Sequence, residues 1–208
     1  MSKLTNQISF FTNLKTLIKD NFRNIIIFIF ILFLFFIGQQ VYSFFNNQKI
    51  LKLSILYEEA KNTNSENQFL KDMKNISEDK GFYSYMAKLE IINSKVKNKN
   101  YNESYEDYVI LLNDSNLNKL YKTSISINAS YNLLNQIDNT KILNLLSYVD
   151  QDIDWFAGYY LEILYLLYNS ENDKKNIQIT YDQIMNNENI HPSIKNRVKK
   201  INDFEKYK

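Results

Sequence analysis

The hydrophobic pattern is densest near the start of the chain, where thirteen consecutive Ile, Phe and Leu residues run from Ile25 to Ile37. Gly38 and two glutamines follow, and apolar and aromatic residues return between Val41 and Phe45. A helix over the window 24–45 covers roughly 33 Å, at about 1.5 Å per residue. Because that length matches the hydrocarbon core of a bilayer, the pattern predicts a single transmembrane helix at 24–45.

Two other interpretations fit such a run. A buried core helix of a soluble domain satisfies the length alone, but it rarely carries Phe or Ile at every angle around its axis. A cleavable signal peptide fits the Val-Tyr-Ser triplet at 41–43, which follows an apolar segment of suitable length. Against cleavage, the leader is long and the helical pattern continues through Ile50, Leu53 and Leu56.

Further along the chain, apolar residues recur at helical spacing. From Phe82 to Val96 and from Tyr101 to Leu112 they lie three, four and seven positions apart, which predicts two amphipathic helices. Asn100 and Glu103 stand at the reciprocal capping positions of the second helix. We therefore expect these two helices to form a hairpin with a short connection.

The same pattern repeats twice more. Leu117–Leu134 and Ile142–Val149 predict a second hairpin, and Trp155–Leu167 followed by Ile177–Ile184 predicts a third. Pro192 suits the first turn of a closing helix.

Equivalent positions of the second helices recur at a nearly constant interval. Tyr108, Leu146 and Tyr181 are 38 and 35 residues apart, close to the tetratricopeptide period of about 34 residues. The predicted fold is therefore all-α: a single N-terminal transmembrane helix, then a degenerate tetratricopeptide-like α-solenoid of about three helical hairpins plus a capping helix.

This organisation divides the chain into four parts. We expect a cytoplasmic basic tail at 1–23, the transmembrane helix at 24–45, juxtamembrane helices at 46–80 and the tetratricopeptide-like domain at 81–208. Within the third part, Ser65 with Gln68 three residues later matches a capping box that starts a short helix. Only three glycines and one proline occur in the chain, too few for the many tight turns of a sandwich or barrel.

Charge is distributed unevenly between the start and the rest of the chain. Lys3, Lys15, Lys19 and Arg23 against Asp20 give +3 before the apolar run, and the remaining 21 basic and 22 acidic residues give about −1. Basic residues before a span favour a cytoplasmic N-terminus, so we expect the C-terminal body to be exported. A body this close to neutral lacks the positive surface that attracts nucleic-acid phosphates, so nucleic acid is not an expected partner.

The residues that usually carry catalysis are sparse. His191 is the only histidine and there is no cysteine, which excludes multi-histidine and thiolate metal sites; beside a proline, His191 is expected to start a helix. Carboxylate pairs at 58–59, 78–79 and 152–154 each lie at a predicted helix end or turn, and acidic residues near a helix N-terminus favour the helix dipole. The glycines are too far apart for a phosphate loop. We expect no enzymatic activity, no metal and no cofactor.

Sixteen tyrosines offer large, amphipathic contact area of the kind found at protein interfaces. Most of them, including Tyr108, Tyr121 and Tyr181, fall on the apolar stripes and are expected to pack in the core. Some can also line a concave peptide groove. The candidate protein-binding surface consists of Tyr101, Tyr105, Tyr131, Tyr159, Lys199 and Lys200.

The closing helix is rich in basic residues. They are Lys195, Arg197, Lys199, Lys200, Lys206 and Lys208, against the two acidic residues Asp203 and Glu205. A solvated face is the first interpretation of this pattern, and contact with anionic lipid or an acidic partner is the second.

Taken together, the basic N-terminus, the single span and the degenerate repeats resemble the bacterial YfgM-type ancillary subunits of the SecYEG translocon. The local echoes are the run Gly-Phe-Tyr-Ser-Tyr-Met-Ala-Lys-Leu at 81–89, the Trp-Phe-Ala that opens a hydrophobic helix at 155–157, and Pro192. The resemblance implies an inner-membrane protein whose periplasmic domain contacts translocon subunits, periplasmic chaperones or their exported clients.

The expected function is thus that of a membrane-tethered adaptor that binds other proteins. The alternative is a structural membrane protein that self-associates or organises the envelope without a role in export. The sequence leaves the oligomeric state open.

Overall fold

The structure, a computed structural model, describes residues 21–205, and these form α-helices joined by turns and short connections. The nine helices in this range are α1 (Phe22–Lys61), α2 (Glu66–Ser77), α3 (Phe82–Lys97), α4 (Tyr101–Leu112), α5 (Lys119–Leu133), α6 (Asn139–Leu146), α7 (Asp154–Ser170), α8 (Lys174–Asn186) and α9 (Pro192–Glu205). The prediction of an all-α chain is confirmed. Lys3, Lys15, Lys19 and Asp20 of the basic tail, and Lys206 and Lys208 of the closing helix, lie outside the described residues.

Two compact units make up the chain, and the division falls after Asn62. The first unit contains α1, a single helix of 40 residues that continues through Phe45 without a break. Every side chain from Ile26 to Ile37 is between 41% and 62% exposed. Helix α1 is long and apolar enough to cross a membrane, which confirms the coarser part of the predicted span.

The second unit contains α2 to α9, which pack largely in chain order. Helix α3 packs on α2 and α4, and α5 packs on α4 and α6. Farther along, α7 packs on α8, and α9 contacts both of these helices. Alternate helices also meet, since α5 packs on α7.

Much of the core of this unit, among the residues that the structure describes, lies in two clusters of buried side chains. The larger includes Tyr108, Leu112, Leu133, Ile142 and Leu145, and the smaller consists of Tyr165, Ile184, Ile190, Ile194 and Val198. Helix α7 contributes to both, because its Ile163 and Leu167 belong to the larger cluster and its Tyr165 to the smaller one. This explains why α7 is apolar on nearly all sides.

Helix starts agree in part with the predicted caps. Ser65 accepts a hydrogen bond from the backbone N–H of Gln68 at 3.4 Å, but the Gln68 amide donates to Asp72 instead of returning to Ser65. Only half of the capping box therefore forms. At α9 the expected start is confirmed: Pro192 is the first helical residue, and Nδ1 of His191 accepts from the backbone N–H of Ser193 at 3.2 Å.

The predicted cap of α4 is wrong. The Asn100 side chain makes no capping hydrogen bond. Instead the hydroxyl of Ser104, which is fully buried, donates to the Asn100 carbonyl at 2.9 Å. A buried hydroxyl must find an acceptor, and the carbonyl one turn back is the nearest one.

Tyr121 was expected in the core, and this prediction is also wrong. Its side chain is 46% exposed, with the Phe82 ring 6.0 Å away between centroids. Tyr121 lies in the first turn of α5, one turn before Ile125, the first buried apolar residue of that face. The apolar spacing is helical at Tyr121, but the first turn of α5 does not pack against other helices closely enough to bury this side chain.

Candidate functional site

The six residues of the predicted binding surface lie on four different helices. Tyr101 and Tyr105 belong to α4, Tyr131 to α5, Tyr159 to α7, and Lys199 and Lys200 to α9. Tyr101 and Tyr105 are half-buried and pack against the larger core cluster. Lys199 and Lys200 are exposed.

Tyr105 is held in place by contacts to α6. Its hydroxyl accepts a hydrogen bond from the Asn144 amide at 2.6 Å, and Nζ of Lys141 lies 5.1 Å from the centre of its ring. The ring and its hydroxyl therefore join α4 to α6.

Tyr131 and Tyr159 are brought together by the fold. Their rings are perpendicular, with centroids 6.5 Å apart, an arrangement that favours aromatic pairs. Tyr131 is half-buried and its hydroxyl donates to Oε2 of Glu162 at 2.7 Å, whereas Tyr159 is 40% exposed. Only the Tyr159 half of this pair faces outward.

Glu162 is the centre of a polar network that the sequence analysis missed. It is 3% exposed, in the middle of apolar α7. Arg197 of α9 donates to both of its carboxylate oxygens, from Nε to Oε1 at 2.7 Å and from Nη2 to Oε2 at 2.6 Å. With Tyr131, the network joins α5, α7 and α9.

The same geometry shifts the ionisation of its members in a consistent direction. Burial, and then the hydrogen bond to Glu162, raise the pKa of Tyr131. The hydrogen bonds to Glu162 raise the pKa of Arg197. At neutral pH the network therefore contains a neutral phenol and a charged guanidinium. Both oxygens of the Glu162 carboxylate accept hydrogen bonds from Arg197, a strong bidentate arrangement. The network therefore holds α5, α7 and α9 together.

Arg197 corrects the interpretation of the closing helix as a uniformly solvated basic face. Half of its side chain is exposed, yet its guanidinium is committed to Glu162. An acidic residue is almost never buried without a partner. The position of Glu162 inside the apolar part of α7 therefore indicated that a basic residue would pair with it. The sequence pattern did not identify which basic residue would be that partner.

An apolar groove runs between α3 and α4. Its volume is about 650 Å³, and it is lined by Lys88, Ile91, Ile92, Asp107, Ile110, Leu111, Asn113 and Asp114. Ile110 is 72% exposed. None of the predicted surface residues lines this groove. The run Val109–Leu112 could have indicated an apolar surface here. Four consecutive apolar residues cover more than one face of a helix, so at least one of them lies outside the buried face.

Side chains at the rim of the groove are held by an ion pair and by hydrogen bonds. Lys95 contacts Asp107 at 2.7 Å. Asp114 accepts hydrogen bonds from the backbone N–H of Asn116 at 2.9 Å and from the Tyr85 hydroxyl at 3.3 Å. The bond from the Asn116 backbone is the main reason that the pKa of Asp114 is lowered. The groove therefore combines an apolar floor with a carboxylate that stays ionised at its edge.

Neither the groove nor the Glu162 network has the geometry of a metal centre. Over residues 21–205, no group of three or more His, Cys, Asp or Glu side chains is placed to hold a metal ion. Among the apolar residues that line the groove, only Ile110 is largely exposed, since Ile92 and Leu111 are buried and Ile91 is half-buried.

Comparison with known proteins gives no relative from which to transfer a function. No protein-family model matches the chain. No curated protein and no solved structure matches it either.

Proposed function

We propose that this chain is a membrane-tethered adaptor that binds other proteins through the groove between α3 and α4. In this proposal α1 crosses the bacterial inner membrane once, with the N-terminus in the cytoplasm and the helices that follow in the periplasm. The observation that carries the proposal is the groove itself. Ile91, Ile92 and Ile110 contribute to an apolar floor whose outermost side chain is mostly exposed.

The fold we propose for the second unit is a degenerate tetratricopeptide-like solenoid. Pairs α3/α4, α5/α6 and α7/α8 would be its repeats, with α9 as the closing helix. Two features support this: each pair is joined by a short connection, and α5 on α7 and α7 on α9 pack as the first helices of successive repeats would. Stacked helical pairs offer extended surfaces for binding proteins.

The groove indicates the chemistry of its partner. An amphipathic helix that places large apolar side chains over Ile91 and Ile110 would bury them against an existing floor. A basic residue on that helix would meet Asp114 at the rim, where an ionised carboxylate is already in place.

We propose translocon subunits, periplasmic chaperones or exported clients as the partners, in line with the resemblance to YfgM-type subunits. Tethering supports this role, because a membrane anchor raises the effective concentration of a weak binding site near membrane-bound partners. The alternative remains a self-associating protein that organises the envelope.

Site-specific crosslinking in living cells separates the two. A photo-reactive amino acid replaces Ile110, or as matched control Ile179, which is 45% exposed on α8 and away from the groove. We expect adducts to a translocon subunit, a chaperone or an exported protein from position 110, and at least about fivefold fewer from position 179. Adducts only to further copies of the chain would favour the alternative. Equal adducts at both positions would refute the groove as the binding site.

A further inference from the structure

We infer that two copies of this chain associate within the membrane through one face of α1. The face consists of Phe35, Gly38, Gln39 and Tyr42, here called the Gln39 face. These residues are three, four and seven positions apart, so they lie on one side of a helix. With Ser43 they line a crevice of about 470 Å³. The inference rests on the membrane insertion of α1 proposed above.

Gln39 and Gln40 both place an amide in this part of α1, but only Gln39 shares its face with Gly38 and the crevice. Gln39 is six residues before Phe45, the end of the predicted span, which places it about 9 Å inside the span at 1.5 Å per residue. An α-helix satisfies its own backbone groups, whereas a glutamine amide adds two N–H donors and a carbonyl acceptor. Acyl chains satisfy none of these, so a polar side chain at this depth favours contact with another helix.

A second copy of the chain is the partner that the amide fits. One carboxamide is complementary to another, because each can donate an N–H to the carbonyl of the other. A two-fold axis parallel to the helices brings both Gln39 side chains to the same depth, since the interface uses the same residues on both copies. Another protein would need a polar group at a matching depth.

Gly38 supplies the room for close approach. A Cβ built at Gly38 meets no atom within 4 Å, so packing within the chain does not require a glycine there. The missing side chain leaves a depression between Phe35 and Tyr42, which are 60% and 75% exposed. Small residues let two membrane helices approach closely, and the neighbouring aromatic rings of the partner can fill the space.

Cysteine scanning tests the face directly, because the chain contains no cysteine of its own. Single cysteines replace each residue from Phe35 to Tyr42 in the full-length protein, in native membranes under mild oxidation. Disulfide dimers are counted on non-reducing gels. We expect at least about fivefold more dimer from positions 35, 38 and 42 than from positions 36, 40 and 41, since a disulfide needs Cα atoms within about 7 Å.

Gln39→Leu and Gln40→Leu form a matched pair that tests the amide. Both remove one carboxamide and make the span more apolar, so both variants still insert, but Gln40 lies about 100° around the helix from Gln39. We expect Gln39→Leu to lower the Gly38→Cys dimer about fivefold, the factor that corresponds to about 1 kcal/mol of amide bonding between membrane helices. Gln40→Leu leaves the dimer unchanged.

If the wild-type chain resists alkaline extraction, three results would overturn the Gln39 face. These are crosslinking without helical periodicity, no dimer at any position, and equal losses of dimer from the two leucine variants. If the wild-type chain is extracted from the membrane by alkali, the membrane proposal fails, and the dimer with it.

Discussion

Helices α1 and α7 carry similar apolar composition and yet meet opposite surroundings. From Ile26 to Ile37, α1 exposes every side chain by at least 41%. In α7, by contrast, Ile163 and Tyr165 are fully buried and Leu167 is 2% exposed. A similar apolar content therefore occurs once in an exposed helix and once in a buried one.

The difference lies in what each helix has for neighbours. Helix α7 stands between two core clusters, which take up its opposite sides. It even buries a carboxylate, because Arg197 and Tyr131 supply its hydrogen bonds. The apolar part of α1 has no charged residue between Ile25 and Ile37 and presents the same chemistry in all directions. Such a surface suits lipid.

The comparison teaches that apolar density alone does not identify the solvent of a helix. Polar residues placed at one angle mark a helix that packs within a protein, since they need partners. In α7 those are Glu162 and several tyrosines. In α1 the corresponding residue is Gln39, about 9 Å inside the end of the predicted span.

The largest effect is expected from two charges in the centre of α1. Each arginine near the middle of a span costs about 2.5–3.5 kcal/mol of insertion free energy, whereas each Ile, Leu or Phe contributes only about 0.3–0.6 kcal/mol. Ile31→Arg with Leu34→Arg should therefore release the chain from the alkali-resistant membrane fraction. The control is the swap Ile31→Leu with Leu34→Ile, which stays embedded.

Protease accessibility in the same cells tests the proposed orientation. With the outer membrane opened and the inner membrane intact, the wild-type helical domain should be digested from outside, and that of the arginine variant should be protected in the cytoplasm. A protected wild-type domain would contradict the proposed topology.

A smaller effect is expected from truncating one isoleucine in each helix. Ile163→Ala in α7 removes a fully buried side chain and should lower the free energy of unfolding by about 3 kcal/mol, from lost burial and the cavity left behind. Ile31→Ala in α1, whose side chain is 58% exposed, should change it by less than about 0.5 kcal/mol. Denaturant unfolding of the full chain in detergent measures both, and equal losses would show that both helices belong to one protein core.

The smallest effect concerns the buried charge of α7. Arg197→Met leaves Glu162 without its cation and should cost about 2 kcal/mol, below the 3–5 kcal/mol of fully buried pairs because the Arg197 side chain is half exposed. Adding Glu162→Gln removes the uncompensated charge and should restore about half of the loss. Lys199→Met, an exposed change on the same helix, is the control and should shift stability by less than about 0.5 kcal/mol. No rescue by Glu162→Gln would contradict the role of the ion pair.

Local features of the fold were predictable from short stretches of sequence. Pro192 starts α9 as expected, and the apolar run from Ile25 lies in a single long helix. Both depend on residues within a few turns of each other, for which helical propensity and periodicity suffice. The caps are less predictable: the Gln68 amide donates to Asp72, which competes with the capping box, and the Asn100 side chain makes no capping hydrogen bond.

The sites depended on residues far apart in the chain. Glu162 and Arg197 are 35 residues apart, and Tyr131 is 31 residues before Glu162. The groove needs α3 and α4 at a particular separation, which leaves Ile110 exposed although its neighbours Leu111 and Leu112 are buried. Periodicity marks which face of a helix is apolar. It does not state how much of that face its neighbours cover.

The sequence by itself determined that residues 21–205 are mainly helical, where most helices begin, and that the early run is apolar on every side of one helix, because these properties follow from local spacing and composition. Only the tertiary structure decided that α7 is shielded on two sides, that its buried Glu162 is paired with Arg197 of α9, and that Ile110 stays open to solvent. Burial is a property of neighbours, and neighbours are set by how the helices pack.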